Sequence, residues 1–189
     1  MNVHALSLEG VKLIETPRFA DARGFFTEAY SEAAFAEAGI AARFVQDNHS
    51  FSAKKGTVRG LHYQAPPFAQ AKLVRVISGA ILDVAVDARA GSPGYGRHVS
   101  AELSAENNRQ IFVPAGFLHG FVTLTDACHV IYKVDAPYSR DHDGAVRFDD
   151  PDLGIDWGIE GDAILSDKDA AAPAWRDFVS PFTYPESAR

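Results

Sequence analysis

Short apolar runs that end at Gly, Pro, Asn or Asp about every ten residues dominate the chain, a rhythm that predicts a β-sandwich or barrel. Val11 to Ile14, Gly24 to Tyr30 and Phe44 to Ser52 read as early strands. Lys72 to Ile77 and Ala80 to Val86 flank Ser78-Gly79, a pair that signals a hairpin turn. Within the second of these runs Leu82, Val84 and Val86 take one face, and Asp83, Ala85 and Asp87 take the other. Gln110 to Pro114, Gly120 to Leu124 and His129 to Val134 continue the series. One segment breaks the β rhythm early: Ser31 to Ala38 is Ala- and Glu-rich, with Ser31 as its cap and Gly39 as its stop, and predicts a helix. After Asp149 the chain turns irregular, and a short helical stretch near Ala170 to Phe178 is interrupted by Pro173. The pattern shows no repeat, linker or low-complexity segment. It predicts an all-β domain with a few short helices.

Composition narrows the function classes. A chain of 189 residues with 47% hydrophobic and 23% charged residues has the make-up of one ordinary globular domain. Its formal net charge of -7 argues against general binding to nucleic acid or acidic membranes. Any anion it binds must be met by a local cluster of cations. A single cysteine, Cys128, excludes an intramolecular disulfide and makes a cytoplasmic location the expectation. The N-terminal stretch lacks the basic start and apolar core of a signal peptide, and no run is long enough to span a membrane.

Against that background one run stands out. Val58 to Val76 reads as strand yet carries Arg59, His62, Gln64 and Lys72. Burying unpaired charge is costly, so polar groups on so apolar a segment are expected to face a ligand, water or each other. A base, two cations and an amide suit proton transfer on an anionic substrate. The plain alternatives are a core histidine bonded to a carbonyl and two cations on a solvated face. Strict alternation separates Arg59 from His62, so a shared pocket requires a bulge, and Gly60 is the natural place for it. His119, in PAGFLHGF, sits where a Pro- and Gly-bounded turn leads onto a strand; packing against its Phe neighbours is its alternative. Tyr132 shares its face with Cys128, Val130 and Val134 and is expected to point inward, as a core aromatic or as a general acid. The run Ser166 to Asp169 is an ordinary helix cap, but its Asp169 could also orient a histidine. Asp83 competes for that role from a strand expected to neighbour the Lys72 strand, and otherwise lies on a solvated face. A metal centre on a β scaffold takes a His-x-His pair, a nearby carboxylate and a further His. Tyr63 and Gln64 stand where the second His would be, so no metal is expected. No nucleophile elbow or phosphate-cradling Gly-rich loop is present.

The segments DARGFFTEAYS, FVQDNHSFS, VRGLHYQAPPFAQAKLVRVISGAILDVAVD, SPGYG, QIFVPAGFLHGF, YKVDAPY and LSDKD together cover most of the chain. In that order they resemble the dTDP-4-dehydrorhamnose 3,5-epimerase family, metal-free sugar epimerases of the cupin superfamily. The resemblance implies a cupin-type jelly roll with its core at about 44–150, N-terminal strands and C-terminal helices appended to one domain, and no cofactor. It implies His62 as the base with Asp169 behind it, Tyr132 as the acid and Lys72 as the stabiliser of an enolate. Arg23, Glu28, Gln46, Asp47, Asn48, Arg59, His119, Asp143 and Lys168 would line the site for nucleotide diphosphate and sugar, and Tyr138 would stack on thymine. Asp143 stands where the family usually has Glu, which touches base specificity. The implied partner is a dTDP-4-keto-6-deoxy sugar, and the implied assembly is a homodimer in which N-terminal strands join the partner's sheet. Two rivals are an epimerase acting at C3 or C5 alone and a non-catalytic nucleotide-sugar binding protein. A third, a metal-dependent cupin oxygenase, is disfavoured by the missing ligand spacing.

Overall fold

The computed structural model describes residues 1–185. The elements run β1 (Asn2–Ala5), β2 (Lys12–Glu15), β3 (Phe19–Asp21), β4 (Gly24–Phe26), α1 (Glu32–Glu37), β5 (Gln46–Ser52), β6 (Val58–Gln64), β7 (Lys72–Ser78) and β8 (Ala80–Asp87). Then follow β9 (Arg89–Ala90), β10 (His98–Ser104), β11 (Arg109–Val113), β12 (Phe117–Thr123), β13 (Cys128–Val134), β14 (Asp143–Ala145), α2 (Asp167–Ala170) and β15 (Phe182–Thr183). Two antiparallel sheets face each other: a six-stranded one ordered β1-β2-β11-β7-β13-β5 and a five-stranded one ordered β10-β8-β12-β6-β14. Long crossings between them make the jelly roll of a cupin-type domain. The structure thus carries the all-β class expected from the strand rhythm. The helix at Ser31 forms as well: the Ser31 side chain accepts from the Ala34 N–H, as a cap should.

The inward faces do two jobs. At one end Val74, Val76, Ile111, Val113 and Val130 of the large sheet meet Ile81, Ala85, Val99, Leu103 and Phe121 of the small one in a dry core. At the other end the inward positions are polar, and the sandwich stays open there. The outer face of the small sheet (Val84, Val86, Leu118, Val122) is covered by the irregular C-terminal segment through Val146, Leu153, Trp157 and Phe182. Part of the outer face of the large sheet (Ile14, Leu73, Phe112) is covered by Phe35 and Ile40 around α1. With both faces of β8 buried, its alternation no longer means inside and outside.

Several expectations are corrected. Ser78-Gly79 is not a hairpin turn: β7 pairs with β11 and β13, while β8 pairs with β10 and β12 in the other sheet. Gly79, at φ +79, turns a corner between sheets, and a Cβ there would lie 2.5 Å from both Cys128 Sγ and Thr125 Oγ1. A left-handed glycine serves either kind of turn, so the local signal does not separate them. Asp83 is therefore not beside the Lys72 strand but on the opposite wall of the sandwich. It is also not solvated, being 0% exposed. The early strand at Gly24 stops at Phe26. The late helical stretch is α2 followed by a single 3-10 turn at Trp175–Asp177. His119 lies inside β12 and not on the turn before it.

Candidate active site

β6 carries the expected bulge. His62 pairs with His119 and Arg59 with Phe121, so two residues of β6 oppose the single Gly120 of β12. Gly60, at φ +122, makes this possible: a Cβ on it would come within 2.6 Å of Gly120 Cα. The bulge restores Arg59 and His62 to one side, and both line a cavity of about 440 Å³ between the sheets. Lys72, His119, Tyr132 and Asp169 complete its polar wall; Val58, Phe121, Ile164 and Leu165 supply apolar surface. A second cavity of about 350 Å³ adjoins it, sharing His62, Lys72 and Tyr132 and adding Gln46, Asn48, Gln64, Tyr138, Asp143 and Lys168. His62 rises from the small sheet, Lys72 and Tyr132 from the large one. The imidazole and the phenol thus enter the cavity from opposite sheets.

Asp169 reaches His62 because the chain before it is stitched to β6. Val58 donates to the Ile164 carbonyl, and Ile164 donates back to that of Gly56. This delivers the Ser166 cap and α2 to the cavity rim. His62 Nε2 stands 2.5 Å from Asp169 Oδ1, and Ser166 Oγ donates to Asp169 Oδ2 at 2.9 Å. Burial pushes the Asp169 carboxyl up, but the hydrogen bonds from His62 and Ser166 outweigh it and hold the group below the usual carboxylate range. An ionised Asp169 fixes Nε2 as the protonated nitrogen and leaves the Nδ1 lone pair for chemistry.

Lys72 is partly buried, and desolvation brings its ammonium down to about 8, resisted by the charges of Asp83 and Asp143 and aided by Lys168. It remains largely cationic at neutral pH. The Tyr132 phenol is pushed up by burial; nearby Arg59 lowers it and Asp143 raises it. It is therefore a protonated, potential donor. Arg59 is held by Ser52 Oγ at 3.1 Å and the Phe51 carbonyl at 2.9 Å. In the second cavity Asp143 is a hub. It accepts from Gln64 Nε2 at 3.2 Å, from the Tyr138 hydroxyl at 3.3 Å and from Lys168 Nζ. Gln46 accepts from the Tyr138 N–H at 3.1 Å and donates to Asn48 Oδ1 at 2.8 Å.

Three residues expected at the site lie outside this chain's cavity. Asp47 alternates with Gln46 and Asn48, so it points to the outer face and pairs with Lys133 at 2.7 Å. Glu28 lines a separate pocket on that outer face with Asp47 and Lys133. Arg23 sits on the β3–β4 hairpin, its side chain 90% exposed and paired with Asp21. Gln64 has a task that no expectation assigned it, and Asp83 orients a histidine, the role it was expected to compete for, that histidine being His119. Gln64, 5% exposed, accepts from the Ser139 N–H at 2.8 Å and so holds the segment that carries Tyr138. Asp83 holds His119, with Nε2 at 3.0 and 2.9 Å from its two oxygens. Among the described residues no group of three or more His, Cys, Asp or Glu side chains is arranged to hold a metal ion.

Fold and site together define an acid–base enzyme of the cupin-type sugar epimerases. The family model described as dTDP-4-dehydrorhamnose 3,5-epimerase matches residues 5–177. A protein of that name from Sinorhizobium fredii is 50% identical over 184 residues, covering 97% of this chain and 94% of its own. The dTDP-6-deoxy-D-glucose-3,5-epimerase of Legionella pneumophila, solved with dTDP-4-keto-L-rhamnose, superposes with a TM-score of 0.93 at 41% identity, covering 97% of this chain and 98% of that one. A 3'-monoepimerase of Streptomyces bikiniensis, solved with dTDP-quinovose, gives 0.85 at 36% identity over 90% of this chain and 86% of that one. The chain belongs to the dTDP-4-dehydrorhamnose 3,5-epimerase family.

Proposed function

We propose that the protein converts dTDP-4-dehydro-6-deoxy-D-glucose into dTDP-4-dehydro-L-rhamnose by inverting C3 and C5. One observation carries the reading: a histidine–carboxylate pair and a phenol stand on opposite walls of one cavity with a partly buried ammonium between the same sheets. A proton α to a ketone is too weakly acidic for a neutral imidazole unless the enolate is stabilised. Lys72 supplies positive charge where the negative charge develops, in a site where low polarity strengthens it. His62 removes the proton through Nδ1, with Asp169 balancing the imidazolium that forms. Tyr132 returns a proton from the opposite face, and Arg59 offsets the charge left on its oxygen. Water restores Tyr132 and His62 before the second carbon is inverted.

The adjoining cavity takes the nucleotide, with Tyr138 against the thymine ring and Gln46, Asn48 and Lys168 in its wall; Arg59 meets the diphosphate and His119 the sugar from the first cavity. Asp143 holds Tyr138 and Lys168 in place for this. Arg23, Glu28 and Asp47 enter the reading only through a homodimer. The β3–β4 hairpin exposes Phe19 at 62% and Phe26 at 68%, more apolar surface than a free hairpin should carry. Docked on a second copy, it would bury these rings and bring Arg23 to the partner's nucleotide. A cytoplasmic location fits the buried free thiol of Cys128.

The likeness to a 3'-monoepimerase favours a second reading, inversion at one carbon only. Incubation with the 4-keto sugar nucleotide in heavy water, read by position, decides between them. Deuterium at both C3 and C5 is expected. Label at one carbon supports the second reading, and no label with tight nucleotide binding means a binding protein.

A further inference from the structure

Asp83, at 0% exposure, lies behind the cavity wall that His119 and Phe121 form. It sits on β8, where Phe121 of β12 is its direct partner and His119 its diagonal neighbour on the inward face. Among the described residues only His119 Nε2 donates to it, at 2.9 and 3.0 Å. One N–H does little for a group with about four acceptor positions, so this is a buried charge short of partners. Such a group is retained where it serves something other than stability. A positive charge faces the same cavity as the His119 ring that Asp83 holds. Lys72 lies across the cavity on β7, and Asp83 is the strongest of the anions supporting its protonated form. The other charged or titratable groups at the cavity are His62, Arg59, Tyr132 and Asp169, with Asp143 and Lys168 acting on Lys72 from the second cavity.

We infer that Asp83 is a positioning residue for the epimerisation: its carboxylate pins the His119 ring through Nε2–H and sets the negative charge that keeps Lys72 an ammonium facing the substrate. The inference rests on the epimerase reading of the cavity and adds to it a residue that touches no substrate. Burial keeps His119 neutral despite Asp83, with Lys72 and His62 pushing the same way. The pinned ring therefore offers Nδ1 as an acceptor and is not a cation for the diphosphate. It would meet a sugar hydroxyl, and Arg59 and Lys168 would carry the phosphate contacts.

The test is Asp83→Asn, which keeps an acceptor for His119 and removes the charge. The Lys72 ammonium is titrated by NMR in the substrate-free wild type and in the variant, and the deuterium exchange rate is followed from pH 6 to 9. The Lys72 midpoint, about 8 in the wild type, is expected to fall by about one unit in the variant. The alkaline limb of the exchange rate should move with it. At pH 8 the variant should then exchange about fivefold more slowly, and at pH 6 within about twofold of wild type. Equal Lys72 midpoints, or a rate reduced by the same factor at every pH, would overturn the inference and leave Asp83 a structural residue. If the variant does not fold, the ring nitrogens of His119 in the wild type decide. A neutral ring protonated at Nε2 supports the pin, and one protonated at Nδ1 overturns it. A wild type that exchanges no deuterium sinks the epimerase reading instead, while the Lys72 titration still reports on Asp83.

Discussion

The cavity holds two histidine–aspartate pairs made from different parts of the fold. His62 meets Asp169 across 107 positions of sequence, from a strand to a helix of one turn, and its side chain stays 31% exposed. His119 meets Asp83 between adjacent strands, and the two side chains are 8% and 0% exposed. His62 of the first pair opens onto the cavity and water. His119 of the second lines the same cavity, but Asp83 behind it is shut off from both. In the proposed mechanism the same two residue types divide into a base and a support, and burial is what divides them.

Breaking either pair should show the division. The largest effect is expected from Asp169→Asn, which leaves His62 in the wrong tautomer: the deuterium exchange rate should fall by about 10²- to 10⁴-fold with nucleotide affinity nearly unchanged. A comparable loss of dTDP binding by calorimetry would move Asp169 out of the chemistry. His119→Ala should act on stability instead. It strands the Asp83 charge in the interior and should cost about 3 kcal/mol in urea unfolding, against about 1 kcal/mol for His62→Ala, whose partner keeps its bond from Ser166. Equal costs would mean the two pairs are alike. The pH profile gives the next effect. Burial has lowered the Lys72 ammonium, so its charge is complete well below about 8 and is lost as pH rises through that value. Exchange should therefore fall about tenfold between pH 8 and 9.5, in a direction opposite to the loss of a base. A rate still rising to pH 10 would remove Lys72 from enolate stabilisation. Smallest is Tyr138→Ala, expected to weaken dTDP binding about tenfold through lost stacking while leaving the exchange rate of bound substrate intact.

The two pairs also differ in how far they could be read from the chain. The strand rhythm and the run from Val58 to Val76 place His62 and Lys72 on a sheet, and Gly60 announces the bulge that joins His62 to Arg59. Spacing alone leaves Ser166 to Asp169 a helix cap, and it is one: Ser166 caps α2 by accepting from the Asp169 N–H, while the Asp169 carboxylate faces Ser166 and His62 at once. Its partnership depends on the bridge between Thr57 and Ile164, a contact that no local pattern encodes. The Asp83 pairing failed for a related reason. Reading Ser78-Gly79 as a hairpin placed β8 beside β7, when the same glycine carries the chain from one sheet to the other. Likewise Asp47 follows its neighbours in the sequence but, by alternation, not in space. Adjacent residues on a strand face opposite ways, and a motif read as a block passes over that.

In the proposed mechanism His62 moves the proton and does not merely hold the nucleotide. His62→Asn in heavy water with the 4-keto sugar nucleotide, alongside calorimetric binding of dTDP, separates these roles. Deuterium incorporation at C3 and C5 should fall below detection, at least about 10³-fold, while the dTDP dissociation constant changes by less than about threefold. Exchange retained at either carbon would remove His62 from the chemistry.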